Sequence, residues 1–252
     1  MTSGTSTSTP LTWGAGHPIG RTSGRMADEV YDTLLDQLMS LHLPPGSRVT
    51  IDALARELSV SQTPIRDALS RLEADGLVVR VPHAGYRVPP QITRERFEEM
   101  LEVRLLLEPA AARSAAEHAT PDQVAQLRRM QEEMSALMAT EGHLAYGSFG
   151  LRDAAFHDLV AAGGGNRVIR ETLSRLHTHV HLFRLLYGRN VTHLAVGEHD
   201  AVLEAVAARD ADAAAYAMRS HILVSGDRFR RLFDKAEQPE EPHRVSEITP
   251  GS

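Results

Sequence analysis

The chain of 252 residues contains no cysteine and one tryptophan, and aromatic residues make up only 5% of it. The missing thiols exclude disulfides, thiolate metal sites and cysteine nucleophiles, and they agree with the cytoplasmic location that we expect. No segment approaches the ~18 consecutive apolar residues that a membrane-spanning helix needs. The hydrophobic share of 42% is nevertheless enough for a packed core.

Both ends of the chain are polar. Residues 1–24 are rich in Ser, Thr, Gly and Pro without the apolar run of a signal peptide, which predicts a disordered leader. Residues 237–252 contain three prolines, and we expect a flexible tail there. The net charge of −6 argues against nucleic acid as a partner of the whole surface, although a short basic face remains compatible with it.

Residues 25–89 have the pattern of a winged helix-turn-helix. Apolar residues at helical spacing predict a first helix, which a Pro-Pro-Gly run stops. A second, short helix has Thr50 as its N-cap, and a third, with apolar residues at i, i+3, i+4 and i+7, ends at Gly76. Two strand patterns, at 77–80 and 86–88, enclose a turn and predict a small hairpin.

The polar face of the third helix suits the reading of DNA. Arg66 can donate two hydrogen bonds to guanine in the major groove, and the hydroxyls of Ser61 and Thr63 suit phosphate oxygens. Four arginines against three acids in residues 60–90 predict modest affinity per monomer and a dimer that reads two half-sites. The alternative is a structural helical hairpin with a solvated polar face. The residues predicted to contact double-stranded DNA are Arg48, Ser61, Gln62, Thr63, Arg66, Ser70, His83 and Gly85.

The remainder, residues 90–236, is predicted to be wholly helical, which makes the fold class mainly α, with an all-α antiparallel helical bundle after the winged helix. A Pro-Pro pair marks the boundary. Helices are predicted at 93–118 with a kink or break at Pro109, and at 120–140, 143–162, 166–187, 192–208 and 210–235.

Acidic and imidazole side chains in this helical part suggest a metal site. Asp153 and His157 are four residues apart and leave the same helix face, and such groups suit Zn²⁺, Mn²⁺ or Ni²⁺. The chain has 13 histidines, however, and His177 and His181, with His179 between them, form an equally good pair four residues apart. Spacing alone does not choose between them, and a single helical histidine is more often surface or core filler.

Longer motifs resemble a known family. The segment Ser61–Leu77, together with Leu54–Val60 before it and Pro45-Gly46-Ser47-Arg48-Val49 upstream, resembles the GntR family of bacterial transcription regulators. The helical remainder resembles the FCD effector-binding domain of the FadR-like branch. The resemblance covers residues 26–235 and implies a homodimeric repressor or activator whose binding to operator DNA is changed by a small metabolite.

Two positions depart from the family pattern. Gln62 occupies the place of the Arg in the family's Ser-Arg-Thr-Pro motif, and Asp52 stands where some relatives place an Arg that contacts DNA. Arg66 is kept, so we predict that it is the main base reader. Because Gln can pair bidentately with adenine, the departures predict a changed base preference.

The resemblance also implies a metal site. Asp153-Ala-Ala-Phe-His157 resembles the Asp-x-x-Phe-His segment of FCD domains, and the helices with His199 and His221 resemble later ones. In metal-binding members these positions hold the ion, which implies that all four residues bind a divalent metal, Zn, Ni or Mn. Arg104 resembles an Arg of the first FCD helix and is predicted to clamp a small carboxylate or hydroxy acid.

Several alternatives stay open from the sequence. For Arg104 the alternative is a surface salt bridge with Glu108 at i+4. The protein as a whole is predicted not to be an enzyme, but a metal-dependent hydrolase is an alternative, with Asp158 and Glu198 as candidate bases. Further alternatives are a regulator that senses the metal itself and one that senses an acyl-CoA.

Overall fold

The computed structural model describes residues 23–137, 143–176 and 192–237. In these ranges the helices are α1 Ser23–Met39, α2 Ile51–Glu57, α3 Gln62–Ala74, α4 Arg94–His118, α5 Pro121–Leu137, α6 His143–Gly163, α7 Arg167–Arg175, α8 Thr192–Ala207 and α9 Ala211–Glu237. The strands are β1 Arg48–Val49, β2 Val79–Val81 and β3 Gly85–Arg87. The predicted fold class, mainly α with a small sheet, is confirmed. Of the predicted leader 1–24 and tail 237–252, residues 1–22 and 238–252 lie outside the described residues, whereas Ser23 and Gly24 begin α1 and Glu237 ends α9.

The described residues fall into two compact units. The first unit ends at Gln91 and also takes in the part of α6 up to Leu151, and the second begins at Ile92 and resumes at Arg152. Helix α6 therefore contributes to both units. None of the helices in the described ranges is long and apolar enough to cross a membrane.

Packing of α1 against α3 forms the core of the first unit. The predicted inward face of α3 is confirmed, since Ile65, Ala68, Leu69 and Leu72 are all fully buried. The hydroxyl of Tyr31 on α1 donates a hydrogen bond of 2.6 Å to Asp75, just after α3. Thr50 caps α2 as predicted, because its side chain accepts a hydrogen bond from the Ala53 amide.

The wing is a three-stranded antiparallel sheet in the order β1-β3-β2. The sequence predicted the two strands of the hairpin, β2 and β3, but not β1, which is only two residues long. Gly85 has a φ of +88°, and a Cβ there would lie 2.9 Å from the carbonyl oxygen of Val49. Only glycine fits this position, so the fold of the wing by itself accounts for Gly85.

Helix α4 opens the second unit and runs without interruption past Pro109. Of the predicted kink or break, the break is therefore wrong, and the kink stays a prediction. A proline inside a helix removes one hydrogen bond, but the next two turns bury Ala111, Ala112, Ala115 and Ala116, and this packing offsets the loss. At the start of α5, the side chain of Gln123 accepts from the Thr120 amide and that of Thr120 accepts from the Gln123 amide, which confirms the predicted capping box.

Helix α9 packs along α4 in the second unit. Phe97 of α4 contacts Phe229 and Phe233, with ring centroids 5.7 and 5.5 Å apart. The helix after Asn166 was predicted to continue through Tyr187, but α7 ends at Arg175. Residues 177–191, which include the histidine group at 177, 179 and 181, lie outside the described ranges.

Candidate metal centre and nucleic-acid interface

Three helices bring the predicted metal-binding side chains together inside the second unit. Asp153 and His157 come from α6, His199 from α8 and His221 from α9, and all four are buried. Each of the three histidines offers a ring nitrogen that lies within 4.8 Å of those of the other two. The Oδ1 atom of Asp153 lies 3.3 Å from Nε2 of His199.

This spacing brings the three nitrogens near the separation that one ion requires. Two nitrogens bound at ~2.1 Å to a tetrahedral ion are about 3.4 Å apart, so the donors need to close by about 1.4 Å or less. One carboxylate and three imidazoles are ligands that Zn, Ni and Mn accept. The residues present therefore fit a divalent metal.

Two glutamates contact the Nδ1 atoms of two imidazoles. The sequence did not predict them as part of the site. The Nδ1 atom of His157 lies 2.6 Å from Oε2 of Glu108, and Nδ1 of His221 lies 2.8 Å from Oε2 of Glu198. An ionised carboxylate only accepts hydrogen bonds, so each ring N–H donates and Nε2 keeps its lone pair. Such a tautomer is the one a metal requires.

Each of these glutamates is held in turn by an arginine. Arg104 donates through Nε and Nη2 to Glu108, with an Nη2–Oε2 distance of 3.2 Å, and Arg104 is only 2% exposed. Arg228, two helical turns after His221, donates through Nη2 to Glu198 at 2.9 Å. The salt bridge between Arg104 and Glu108 exists, but it is buried in the site and does not lie on the surface.

The charges follow from these contacts. Burial raises the pKa of Glu108, but the Arg104 guanidinium and the bound imidazole outweigh it and hold this pKa well below the usual range. Burial also raises the pKa of Glu198, but the hydrogen bonds from Arg228 and His221 outweigh it and lower this pKa. Burial lowers the pKa of His221. Near neutral pH both carboxylates are therefore ionised and the His221 ring is neutral, which suits metal binding.

Ring stacking fixes the remaining imidazole. Phe156, which is fully buried, stacks on His199 with centroids 4.5 Å apart and an interplanar angle of 23°.

Asp158, one of the candidate bases of the hydrolase alternative, forms two hydrogen bonds with Arg170, of 2.8 and 2.6 Å. Its carboxylate is thus engaged at an exposed ion pair.

The predicted DNA-contacting side chains lie on the first unit. Those of Arg48, Ser61, Gln62, Thr63, Arg66, Ser70 and His83 are exposed. Ser61 is the N-cap of α3, yet its hydroxyl makes no capping hydrogen bond. Arg48 donates to the carbonyl of Ala84 at 2.8 Å and so ties β1 to the turn of the wing. The two positions that depart from the family pattern, Asp52 and Gln62, contact each other.

Known proteins match both parts of the chain. Residues 26–88 match the family model described as "Bacterial regulatory proteins, gntR family", and residues 99–223 match the FCD domain. The chain belongs to the GntR family. This GntR protein is 27% identical over 186 residues to the Nta operon transcriptional regulator of Aminobacter aminovorans, which covers 73% of this chain and 85% of the relative.

One further relative agrees with this assignment, and one solved structure shares the fold. The HTH-type transcriptional repressor GlaR of Escherichia coli is 27% identical over 204 residues, covering 77% of this chain and 91% of GlaR. The solved structure of E. coli McbR/YncC superposes with a TM-score of 0.57 at 20% identity, covering 83% of this chain and 98% of that chain. At this identity the structural likeness shows the fold alone.

Family membership makes this GntR protein a DNA-binding transcription regulator with an FCD domain, and not an enzyme. The hydrolase alternative is therefore set aside.

Proposed function

We propose that this protein is a metabolite-responsive regulator of the FadR-like branch that binds inverted-repeat operator DNA as a homodimer. In this proposal Asp153, His157, His199 and His221 hold a divalent ion, Zn, Ni or Mn, and a small carboxylate or hydroxy acid is the effector. The observation that carries the proposal is the buried convergence of the three imidazoles within 4.8 Å.

The number of ligands supports a site for an exchangeable molecule. Four protein ligands fill a tetrahedral ion but leave two positions on an octahedral one. A bound ion supplies Lewis-acidic positions that a carboxylate oxygen can occupy. The chain's own residues then orient that carboxylate and exclude water from it, because the cluster is buried.

The charge of the cluster also favours an anion. With neutral imidazoles, the guanidinium groups of Arg104 and Arg228 stand against the carboxylates of Glu108, Asp153 and Glu198, which leaves one net negative charge. A divalent ion reverses the sign to one net positive charge, and a monocarboxylate neutralises it. A buried site is more stable when its charges are matched in this way.

Arg104 is the residue that we propose to help bind the effector carboxylate. Glu108 uses the N–H of Nε and one N–H of Nη2. A guanidinium has five N–H donors, so three remain for a further acceptor. Glu108, which Arg104 contacts, lies 2.6 Å from Nδ1 of His157. The guanidinium is thus only one side chain away from the cluster.

Helix α6 provides a route from the cluster to the DNA-binding part. It carries Asp153 and His157, and its residues up to Leu151 belong to the first compact unit. An effector that binds one arrangement of α6, α8 and α9 better than another shifts the population toward that arrangement. In a homodimer such a shift changes how the two recognition helices fit successive half-sites.

The test measures operator affinity at fixed salt with DNA selected from a random library. Chelator-treated protein, metal-loaded protein and metal-loaded protein with a panel of small carboxylic acids are compared. We expect one class of acid to change the operator Kd at least about fivefold in the metal-loaded protein only. At 100 times its Kd the same acid should stabilise that protein by about 2.7 kcal/mol in thermal unfolding.

Matched variants identify the site. His221→Ala should abolish the response to the acid, whereas His118→Ala, an exposed position on α4, should leave it intact. A response to the metal alone would make the ion itself the signal, and a response of the metal-free protein to an acyl-CoA would assign a different effector. Either result, or no response while both forms are dimeric, contradicts the proposal.

A further inference from the structure

Three polar side chains form a chain of hydrogen bonds on the exposed side of α2 and α3. The Nε2 atom of Gln62 donates to Oδ1 of Asp52 at 2.6 Å. The Nη2 atom of Arg66 donates to Oε1 of the same Gln62 at 3.0 Å. The two departures from the family pattern are therefore linked, and both connect to the side chain predicted to read bases.

These contacts engage both ends of the Gln62 amide. Bidentate reading of adenine requires the amide oxygen and nitrogen to point together at one base edge. Here the nitrogen points at Asp52 on α2 and the oxygen at Arg66 one turn along α3. Gln62 has to give up this arrangement before it can read adenine.

Arg66 keeps its reading capacity in this arrangement. Only one N–H of Nη2 is used by Gln62, so four of the five guanidinium donors remain for guanine O6 and N7. A guanidinium that is already oriented loses less rotamer entropy when it meets the base. The hydrogen bond to the Asp52 oxygen polarises the Gln62 amide and strengthens its own oxygen as an acceptor for Arg66.

We propose that Asp52 is a specificity-determining positioning residue of the DNA-binding part. It acts through Gln62 and without a contact of its own to a base. By holding Gln62 it favours guanine at the position read by Arg66, and it withholds Gln62 from adenine at the neighbouring position. This replaces the interpretation in which Gln62 itself selects adenine.

The experiment selects binding sites from a randomised DNA library with full-length, metal-loaded protein and compares base preferences by sequencing. Arg66→Ala identifies the position that Arg66 reads, as the position whose guanine preference it abolishes. At that position Asp52→Ala should lower the guanine preference on the order of three- to tenfold. It should raise the adenine preference at a neighbouring position by a similar factor.

Three further variants separate positioning from charge. Asp52→Asn keeps the oxygen acceptor for Gln62 without the charge, and it should retain the wild-type preferences. Asp67→Ala removes an exposed acid of α3 and should raise affinity for all sequences alike. Gln62→Ala should lower the guanine preference with no gain of adenine.

Thermal unfolding confirms that each variant is folded, which the exposure of these side chains leads us to expect. The proposal is overturned if Asp52→Ala, like Asp67→Ala, changes affinity uniformly and leaves every base preference as in the wild type. It is equally overturned if Asp52→Asn and Asp52→Ala give the same altered preferences, because the loss of charge would then account for the effect.

Discussion

Individual side chains in the second unit are buried as charges, and each has a defined partner. Arg104 is 2% exposed and Glu108 4% exposed, and they form a two-point ion pair one helical turn apart. Removing charges from water is costly, so such a pair contributes little net stability while both members are present. Removal of one member leaves the other charge uncompensated, and this lowers the free energy of unfolding.

Glu108→Gln should therefore destabilise the metal-free protein strongly. The substitution keeps the shape of the side chain but leaves the Arg104 guanidinium buried without a countercharge, at a cost of about 3–5 kcal/mol. Urea unfolding followed by circular dichroism measures the change. Glu117→Gln, an exposed site on the same helix, should stay within about 0.5 kcal/mol of the wild type. Equal midpoints for both variants would contradict the assigned role of the pair.

At the scale of elements, the contact between α4 and α9 depends on close approach. A Cβ at Gly226 of α9 would lie 2.9 Å from Cδ2 of the buried Leu101 on α4, whereas nothing lies within 4 Å of a Cβ at Gly197 on α8. The two glycines share the low helix propensity of their residue type. They differ in whether the surroundings have room for a methyl group.

These two glycines provide a matched pair of substitutions. Gly197→Ala should stabilise the protein by about 0.5–1 kcal/mol because alanine is the better helix former. Gly226→Ala makes the same gain but has to displace Leu101, and overpacking costs about 1–3 kcal/mol. The difference between their unfolding free energies isolates the packing cost. An equal gain from both would show that α4 and α9 are not packed so closely.

A second contact between these helices is electrostatic and depends on pH. The hydrogen bond from Arg230 holds the pKa of Glu98 below its ordinary value of 4.5, against the effect of burial. A depressed carboxyl pKa adds stability that is fully present above the unfolded-state value and is lost as pH falls through the folded-state value.

Glu98→Gln should accordingly be less stable than the wild type at neutral pH by about 0.2–1 kcal/mol, since the pair is partly exposed. The difference should shrink below the ordinary carboxyl pKa and vanish in more acidic solution. Thermal unfolding over a pH series measures it. Glu102→Gln, an exposed site of the same helix, serves as the control, and a pH-independent difference at Glu98 would refute the electrostatic explanation.

At the scale of the whole molecule, the proposed regulator has a buried cluster in one compact unit and the exposed polar face of α3 in the other. The chain as a whole carries a net charge of −6, so non-specific attraction to DNA is weak and affinity has to come from the recognition face. Regulation then requires a free energy of coupling between the effector and operator sites. Such a coupling acts in both directions.

Reciprocity gives a quantitative expectation for the proposed regulator. If an acid changes the operator Kd by some factor, saturating operator DNA must change the Kd of the acid by the same factor, typically about 5- to 150-fold. Calorimetric titration of the acid into metal-loaded protein, with and without operator DNA, measures the second factor. Unequal factors would mean that the acid acts outside the two-site scheme, for example by changing the oligomeric state.

Local features were predictable because they depend on residues close in sequence. Helix geometry places Asp153 and His157 on one face, and the capping box of Thr120 and Gln123 is a contact over three residues. The winged helix could be predicted for the same reason, since its apolar periodicity marks each helix. Of the predicted kink or break at Pro109, the break was wrong because tertiary packing compensated for a local penalty.

The sequence by itself determined the fold class, the exposed polar face of α3 with Arg66, and the candidate pair on α6. Only the tertiary structure decided which more distant groups join them. Glu108 reaches His157 across 49 residues, Glu198 reaches His221 across 23, and Asp52 reaches Gln62 across 10. Periodicity specifies which face of a helix is buried, but the packing of helices specifies which side chains come into contact. These contacts set the tautomers of the imidazoles, the charges of the glutamates and the orientation of Arg66.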